Sequence, residues 1–154
     1  MQLERLAAHN VAFAAGLARE LHGLGTFGEH GPAFDWDHTM NTMMRAMYDP
    51  SVFFLMAKLD HEYVGAVTGR VQTFYFSPKL MGVEDAWYVR EGTPKRASIG
   101  WILMHEFVKW CMDEHKTVLV QSGDIAGIRT VGVDALYRRM GFTRFGAIYK
   151  YARE

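Results

Sequence analysis

The chain has 154 residues, 49% of them apolar and 22% charged, with a formal net charge of +0. That length suits one domain, residues 1–154, with a sizeable core, and the charge balance leaves no basic excess to neutralise a nucleic-acid backbone. The lone Cys111 excludes an internal disulfide, and no apolar run reaches membrane-spanning length, so a cytoplasmic protein with no membrane partner is expected.

Residues 3–22 carry Leu3, Leu6, Phe13, Leu17 and Leu21 at the spacing of one helix face, and Gly23 and Gly25 end that helix. Four glycines and Pro32 between His22 and Asp35 predict an exposed loop. Asp35 or Asp37 caps a second helix running to about Tyr48, since Pro50 disfavours helix at the residue before it. Met40, Met43, Met44 and Met47 fall on one face of this helix. Two readings stand: a core-facing stripe, or the pliable wall of a pocket.

Val52 to Lys58 reads as a strand, Leu59-Asp60-His61-Glu62 as a turn, and Tyr63 to Phe76 as a returning strand weakened by Gly65 and Gly69. Ser77-Pro78 breaks it, and Val83 to Val89 forms the next strand. Ile99, Leu103, Phe107, Trp110 and Cys111 make the apolar face of a helix ending near His115. Thr117 to Gln121 reads as a strand, Val131 to Met140 as a helix and Phe142 to Tyr151 as a final strand.

Two segments carry chemistry. The loop Thr93-Pro94-Lys95-Arg96-Ala97-Ser98-Ile99-Gly100 joins a strand to a helix, where unpartnered N–H groups and the helix dipole favour an anion. N–H groups from Arg96 to Trp101 would face a pyrophosphate, with Lys95 and Arg96 adding positive charge. Downstream, Leu136-Tyr137-Arg138-Arg139-Met140-Gly141-Phe142 is a helix that stops at a glycine. Tyr137 shares a face with Val133, Leu136 and Met140, so it is either a core tyrosine or a group positioned for proton transfer. The seven histidines offer no His-x-x-x-His pair, so no metal site is expected. No Gly-x-Ser-x-Gly elbow appears either, and nucleophilic catalysis lacks a carrier.

Together these segments resemble the GCN5-related N-acetyltransferases. Lys95 to Gly100 lies along that family's Gln/Arg-x-x-Gly-x-Gly/Ala loop, with Lys95 in place of Gln/Arg and Ser98 where glycine is preferred. Leu136 to Phe142 matches the family ending Leu-Tyr-x-x-x-Gly-Phe, and Thr130 stands where the family often has asparagine. The resemblance covers about 52–150.

The resemblance implies an α/β fold: a mixed, mostly antiparallel sheet with flanking helices, splayed between its fourth and fifth strands to admit pantetheine. The usual first strand is expected to be missing, because the chain enters its first helix at once, and only one strand's worth of residues follows Phe142. A missing edge strand makes a homodimer the expected assembly.

In function, the resemblance implies acyl transfer, acetyl above all, from acetyl-CoA to a primary amine by direct attack. Tyr137 would protonate the departing thiolate. The strand Val83 to Val89 resembles the family's fourth strand, where a bulge exposes backbone groups, and a backbone N–H near Val89 would polarise the thioester carbonyl. Trp87, Tyr88, Val89, Lys95, Arg96, Ala97, Ser98, Ile99, Gly100, Trp101 and Thr130 are the candidate cofactor contacts. Of Glu84 and Asp85, adjacent and therefore on opposite sides of a regular strand, only one can meet the acceptor amine, and Asp85 is nearer the family's acidic position. The segment from Gly23 to Phe34, with the Met40/Met44 face behind it, is expected to wall the acceptor site. A non-catalytic protein on the same fold is the alternative.

Overall fold

A short strand, β1 (Gln2–Arg5), opens the chain, and α1 (Val11–His22) follows it. The computed structural model describes residues 1–24, 28, 31–123 and 130–146. The single helix expected over 3–22 is therefore a strand and a helix, and the opening strand is present. Its cause is Asn10, which is fully buried. Its side-chain oxygen accepts the Ala7 N–H at 2.8 Å and its amide donates to the Arg5 carbonyl at 3.0 Å, fixing a turn between the two elements.

The second helix, α2 (Trp36–Ala46), is capped by Asp35, whose carboxylate accepts the His38 N–H at 2.8 Å. Then come β2 (Val52–Leu59), β3 (Glu62–Thr73) and β4 (Leu80–Val89). Asp60 and His61 join β2 to β3 with φ of 46° and 74°, the backbone a tight two-residue hairpin demands. Next are α3 (Arg96–Lys109), a π-helical turn over Trp110–Glu114, β5 (Val120–Gln121) and α4 (Thr130–Arg139). The strand expected over 117–121 is thus two residues long. Gly141, at φ +87°, closes α4, and the Phe142 N–H returns to the Tyr137 carbonyl at 3.0 Å. Of the strand expected over 142–151, residues 147–151 fall outside the described residues and 142–146 lie in no strand.

The sheet order is β1-β2-β3-β4-β5, antiparallel except for the parallel pair β4·β5. β1 occupies the edge that was expected to be vacant, so the case for a dimer built on a missing strand loses its basis. Helices cover both faces. Phe53, Val67, Leu103, Met104 and Phe107 pack on the α3 side, and Ala15, Leu17, Met43, Phe54 and Met56 on the α1/α2 side.

The glycines that seemed to weaken β3 are close approaches. A Cβ on Gly69 would lie 2.5 Å from both the Phe107 ring and the Val83 carbonyl oxygen, so only glycine lets α3 seat its aromatic here. The methionine stripe divides: Met43 is buried, whereas Met44 is 47% exposed.

Candidate active site

Opposite Thr68 and Gly69 the register of β4 shifts, with Gly69 paired to Glu84 and Thr68 to Ala86. Asp85 is the extra residue of a β-bulge. The bulge resets the alternation of side chains. Glu84 and Trp87, three positions apart, both turn toward α3 and α4, while the adjacent Asp85 and Ala86 both turn toward α1 and α2. Asp85 pairs there with Arg70 at 2.8 Å. Burial raises the Asp85 carboxyl, and Arg70 pulls it back.

On the other face, Glu84 is 8% exposed and accepts Ser122 Oγ–H at 2.7 Å and the Gly123 N–H at 3.4 Å. Ser122 Oγ lies 2.5 Å from the Tyr137 hydroxyl. Glu84, Ser122 and Tyr137 form one hydrogen-bond chain. Burial pushes the Glu84 carboxyl up to about 7, against the hydrogen bonds from Ser122 and Gly123. The Tyr137 ring packs 5.3 Å from both Trp87 and Phe142. Tyr137 thus serves the core with its ring and a polar chain with its hydroxyl.

This chain lies beside an open strand edge. β5 pairs with β4 only at Gly82 and Val83, so from Glu84 onward no described strand covers that side. The Arg90 N–H bonds back to Val64 on β3 at 2.7 Å. In an antiparallel ladder the main-chain groups of Val89 and Trp87 then point the other way, into the gap. Val89 is buried, and its carbonyl accepts Arg96 Nε–H at 2.7 Å.

The connection to α3 turns at Gly92 (φ +79°) and at Lys95, which holds φ 55° at the helix N-cap without a side-chain cap bond. The Ile99 N–H reaches the Lys95 carbonyl at 3.0 Å, so the N–H groups of Arg96, Ala97 and Ser98 precede the helical ladder. Ala97 and Ser98 are exposed. Trp87 Nε1–H donates to the Gly100 carbonyl at 3.1 Å, and a Cβ on Gly100 would come within 3.2 Å of the Trp87 ring. Glycine at 100 therefore allows α3 to sit against β4.

Several predicted contacts are placed elsewhere. The Ile99 side chain is core, Trp101 stacks on His105 at 4.9 Å, and the Tyr88 side chain faces α1, its hydroxyl donating to Glu20 at 3.3 Å. The Ile99 N–H is taken by the Lys95 carbonyl and, by the same alternation, the Tyr88 main chain turns to β3, so neither is offered to the gap. Thr130 is the first residue of α4, and its side chain lies outside the described residues.

A cavity of about 690 Å³ lies on the opposite face, between α1, α2 and the sheet. Ala66, Ala86 and Tyr88 line it from the strands, Leu17 and Leu21 from α1, and Met43 from α2. It adjoins the expected acceptor wall, but Met43 lines it in place of Met40 and Met44. Part of that wall, residues 25–27 and 29–30, lies outside the described residues.

A mixed sheet whose fourth strand loses its parallel neighbour halfway, with a helix start and a tyrosine beside the gap, has the architecture of an acyltransferase. The model of the acetyltransferase (GNAT) family matches residues 18–142; the chain belongs to that family and is an N-acetyltransferase by that membership. A comparison with curated proteins finds no match. Among solved structures, the fold is shared with an aminoglycoside antibiotic 6'-N-acetyltransferase from Acinetobacter haemolyticus, at TM-score 0.74 and 13% identity over 100% of this chain and 99% of that one. It is also shared with AAC(6')-Iy in complex with the bisubstrate analogue CoA-S-monomethyl-acetylneamine, at TM-score 0.77 and 12% identity over 99% and 97%. A third is a ribosomal-protein-alanine N-acetyltransferase from Brucella melitensis biovar Abortus 2308, at TM-score 0.69 and 14% identity over 99% and 100%.

Sequence reasoning missed Ser122. Its signal was a Gln-Ser-Gly directly after a strand expected to run beside β4, where a small polar side chain at the strand's end faces the neighbouring strand's acids. No described helix is long and apolar enough to cross a membrane.

Proposed function

We propose that this chain transfers an acetyl group from acetyl-CoA to a primary amine by direct attack, with no covalent enzyme intermediate. The Glu84–Ser122–Tyr137 chain beside the open edge of β4 carries this reading. Acetyl-CoA supplies the thioester, whose carbon–sulfur bond breaks as the amine nitrogen bonds to the acyl carbon.

The residues fit this substrate. The free N–H groups at the start of α3, with Lys95 and Arg96 beside them, receive a pyrophosphate. Because Arg96 spends Nε–H on Val89, only its Nη groups remain for phosphate. Main-chain groups of Trp87 and Val89 line the gap for an extended, amide-bearing arm, and the Val89 N–H faces the carbonyl oxygen as it turns negative.

Tyr137 holds its hydroxyl for the sulfur. When Glu84 is ionised, Ser122 must donate to it, and Tyr137 then donates to Ser122, its proton turned inward. When Glu84 is protonated the chain can run the other way, from Glu84 through Ser122 to Tyr137, leaving the phenolic proton directed outward. Tyr137 then gives that proton to sulfur and regains one through Ser122 from Glu84. The amine's surplus proton leaves on the opposite face, to Asp85 or water.

The deciding experiment is calorimetric titration with CoA, followed by thiol release from acetyl-CoA with a panel of amines. Saturable binding and amine-dependent release are expected. No binding at millimolar CoA removes the proposal and leaves the non-catalytic alternative.

A further inference from the structure

The cavity between α1, α2 and the sheet opens onto Ala86, the residue after the bulge, on the face from which the acceptor would reach the β4 edge. Its polar side chains are largely committed to the protein's own backbone. His22 Nε2 lies 2.8 Å from the Pro32 carbonyl, and Asp35 caps α2. Thr39 donates to the Asp35 carbonyl at 2.7 Å, and Thr68 to the Phe53 carbonyl at 3.0 Å. Asp35 is the only carboxylate among the described lining residues, the exposed His38 adds an imidazole, and most of the remaining wall is apolar, with Leu17, Leu21, Phe34, Met43, Phe54 and the Tyr88 ring.

Resting on the acetyl-transfer reading, we propose that this cavity is the acceptor pocket and that it selects a primary amine carried on an apolar, aromatic body. About 690 Å³ is the scale of a small-molecule site, ample for an aryl ring and a short alkyl arm. Burying such a body gains hydrophobic free energy without requiring hydrogen bonds. A polyhydroxylated polycation would leave several donors and ammonium groups facing this wall without partners, each at a desolvation cost. The described wall therefore disfavours a polycation: it offers one carboxylate, Asp35, and one imidazole, His38, outside the backbone-bound His22, where a polyamine or aminosugar needs several partners.

The test compares 2-phenylethylamine and tryptamine with spermidine and kanamycin, reading kcat/KM from thiol release and amine affinity by calorimetry with CoA present. Both arylalkylamines should exceed both polycations by ~10-fold or more in kcat/KM. Turnover of either polycation as fast as the aryl amines overturns the substrate class while acetyl transfer stands. Failure of CoA to bind fells the acetyl-transfer reading itself. If CoA binds and no amine turns over, calorimetry decides the pocket: absence of arylalkylamine binding at millimolar concentration overturns it. Ala18, on α1, lines the same wall. Ala18→Phe should raise KM for 2-phenylethylamine several-fold while the CoA dissociation constant stays put; an unchanged KM also overturns the placement.

Discussion

Ser122 Oγ bridges Tyr137 and Glu84, 2.5 Å from one and 2.7 Å from the other, and Tyr137 also hydrogen-bonds the Glu84 carboxyl itself. The Ser122 hydroxyl has one proton, so it can serve only one of them as donor at a time. In the proposed relay the protonation state of the buried carboxyl sets which way the tyrosine proton points.

Tyr137→Phe should lower kcat by about 10²–10⁴-fold and leave the CoA dissociation constant nearly unchanged, because the hydroxyl is proposed to act when the carbon–sulfur bond breaks. The ring contacts with Trp87 and Phe142 survive, and the lost hydrogen bond costs about 1 kcal/mol of stability. Steady-state kinetics, calorimetry and melting temperature check this together. Unchanged kcat with a lower melting temperature would make Tyr137 a core residue only.

Ser122→Ala removes the bridging hydroxyl and leaves Tyr137, the proposed proton donor, in place. Activity should fall less than in Tyr137→Phe, and the pH dependence of kcat should lose its limb near neutrality. Ser122→Thr, which restores the hydroxyl, should recover both. A pH profile unaltered by the alanine would show that Ser122 does not couple Glu84 to Tyr137.

Glu84 also makes a stability prediction. Its folded carboxyl titrates at about 7, above an ordinary value of 4.5, so between those limits the folded state holds more proton than the unfolded. This group therefore takes stability away as pH rises from 4.5 to about 7, by roughly 3 kcal/mol once ionised in both states. Denaturant titrations across that window should show Glu84→Gln gaining on the parent protein as pH rises. A constant difference between the two would refute the burial of a titrating acid.

Ser98→Asp places a carboxylate in the exposed first turn of α3, where the pyrophosphate is proposed to bind. CoA affinity should drop by at least ~10-fold and melting temperature should hold, since acids suit a helix start. Calorimetry with and without added salt separates repulsion from misfolding.

Gly69→Ala should be costly: its Cβ would meet a backbone oxygen and the Phe107 ring, both at 2.5 Å. A loss of roughly 1–3 kcal/mol is expected from overpacking, larger if the adjoining bulge shifts. Equilibrium unfolding measures it, and activity falling further than stability would report the bulge.

The sequence by itself determined most of the element order, the apolar face of α3, the stop at Gly141 and the position of Tyr137. These are local matters: Ile99, Leu103, Phe107, Trp110 and Cys111 recur at helical spacing, and a glycine at φ +87° ends a helix wherever it lies. Tertiary structure decided what depends on partners far along the chain. Leu3 and Leu6 read as helix because their spacing is ambiguous in so short a segment; pairing of Gln2–Arg5 with Leu55–Lys58 and the buried Asn10 make it a strand and a turn. The family resemblance implies a bulge in β4, but no residue within the strand places it at Asp85, since an extra residue exists only relative to the register of β3. Yet that one residue puts Trp87 on the Glu84 side with Tyr137 and leaves Asp85 and Ala86 together on the α1/α2 side, a pairing strict alternation would have reversed.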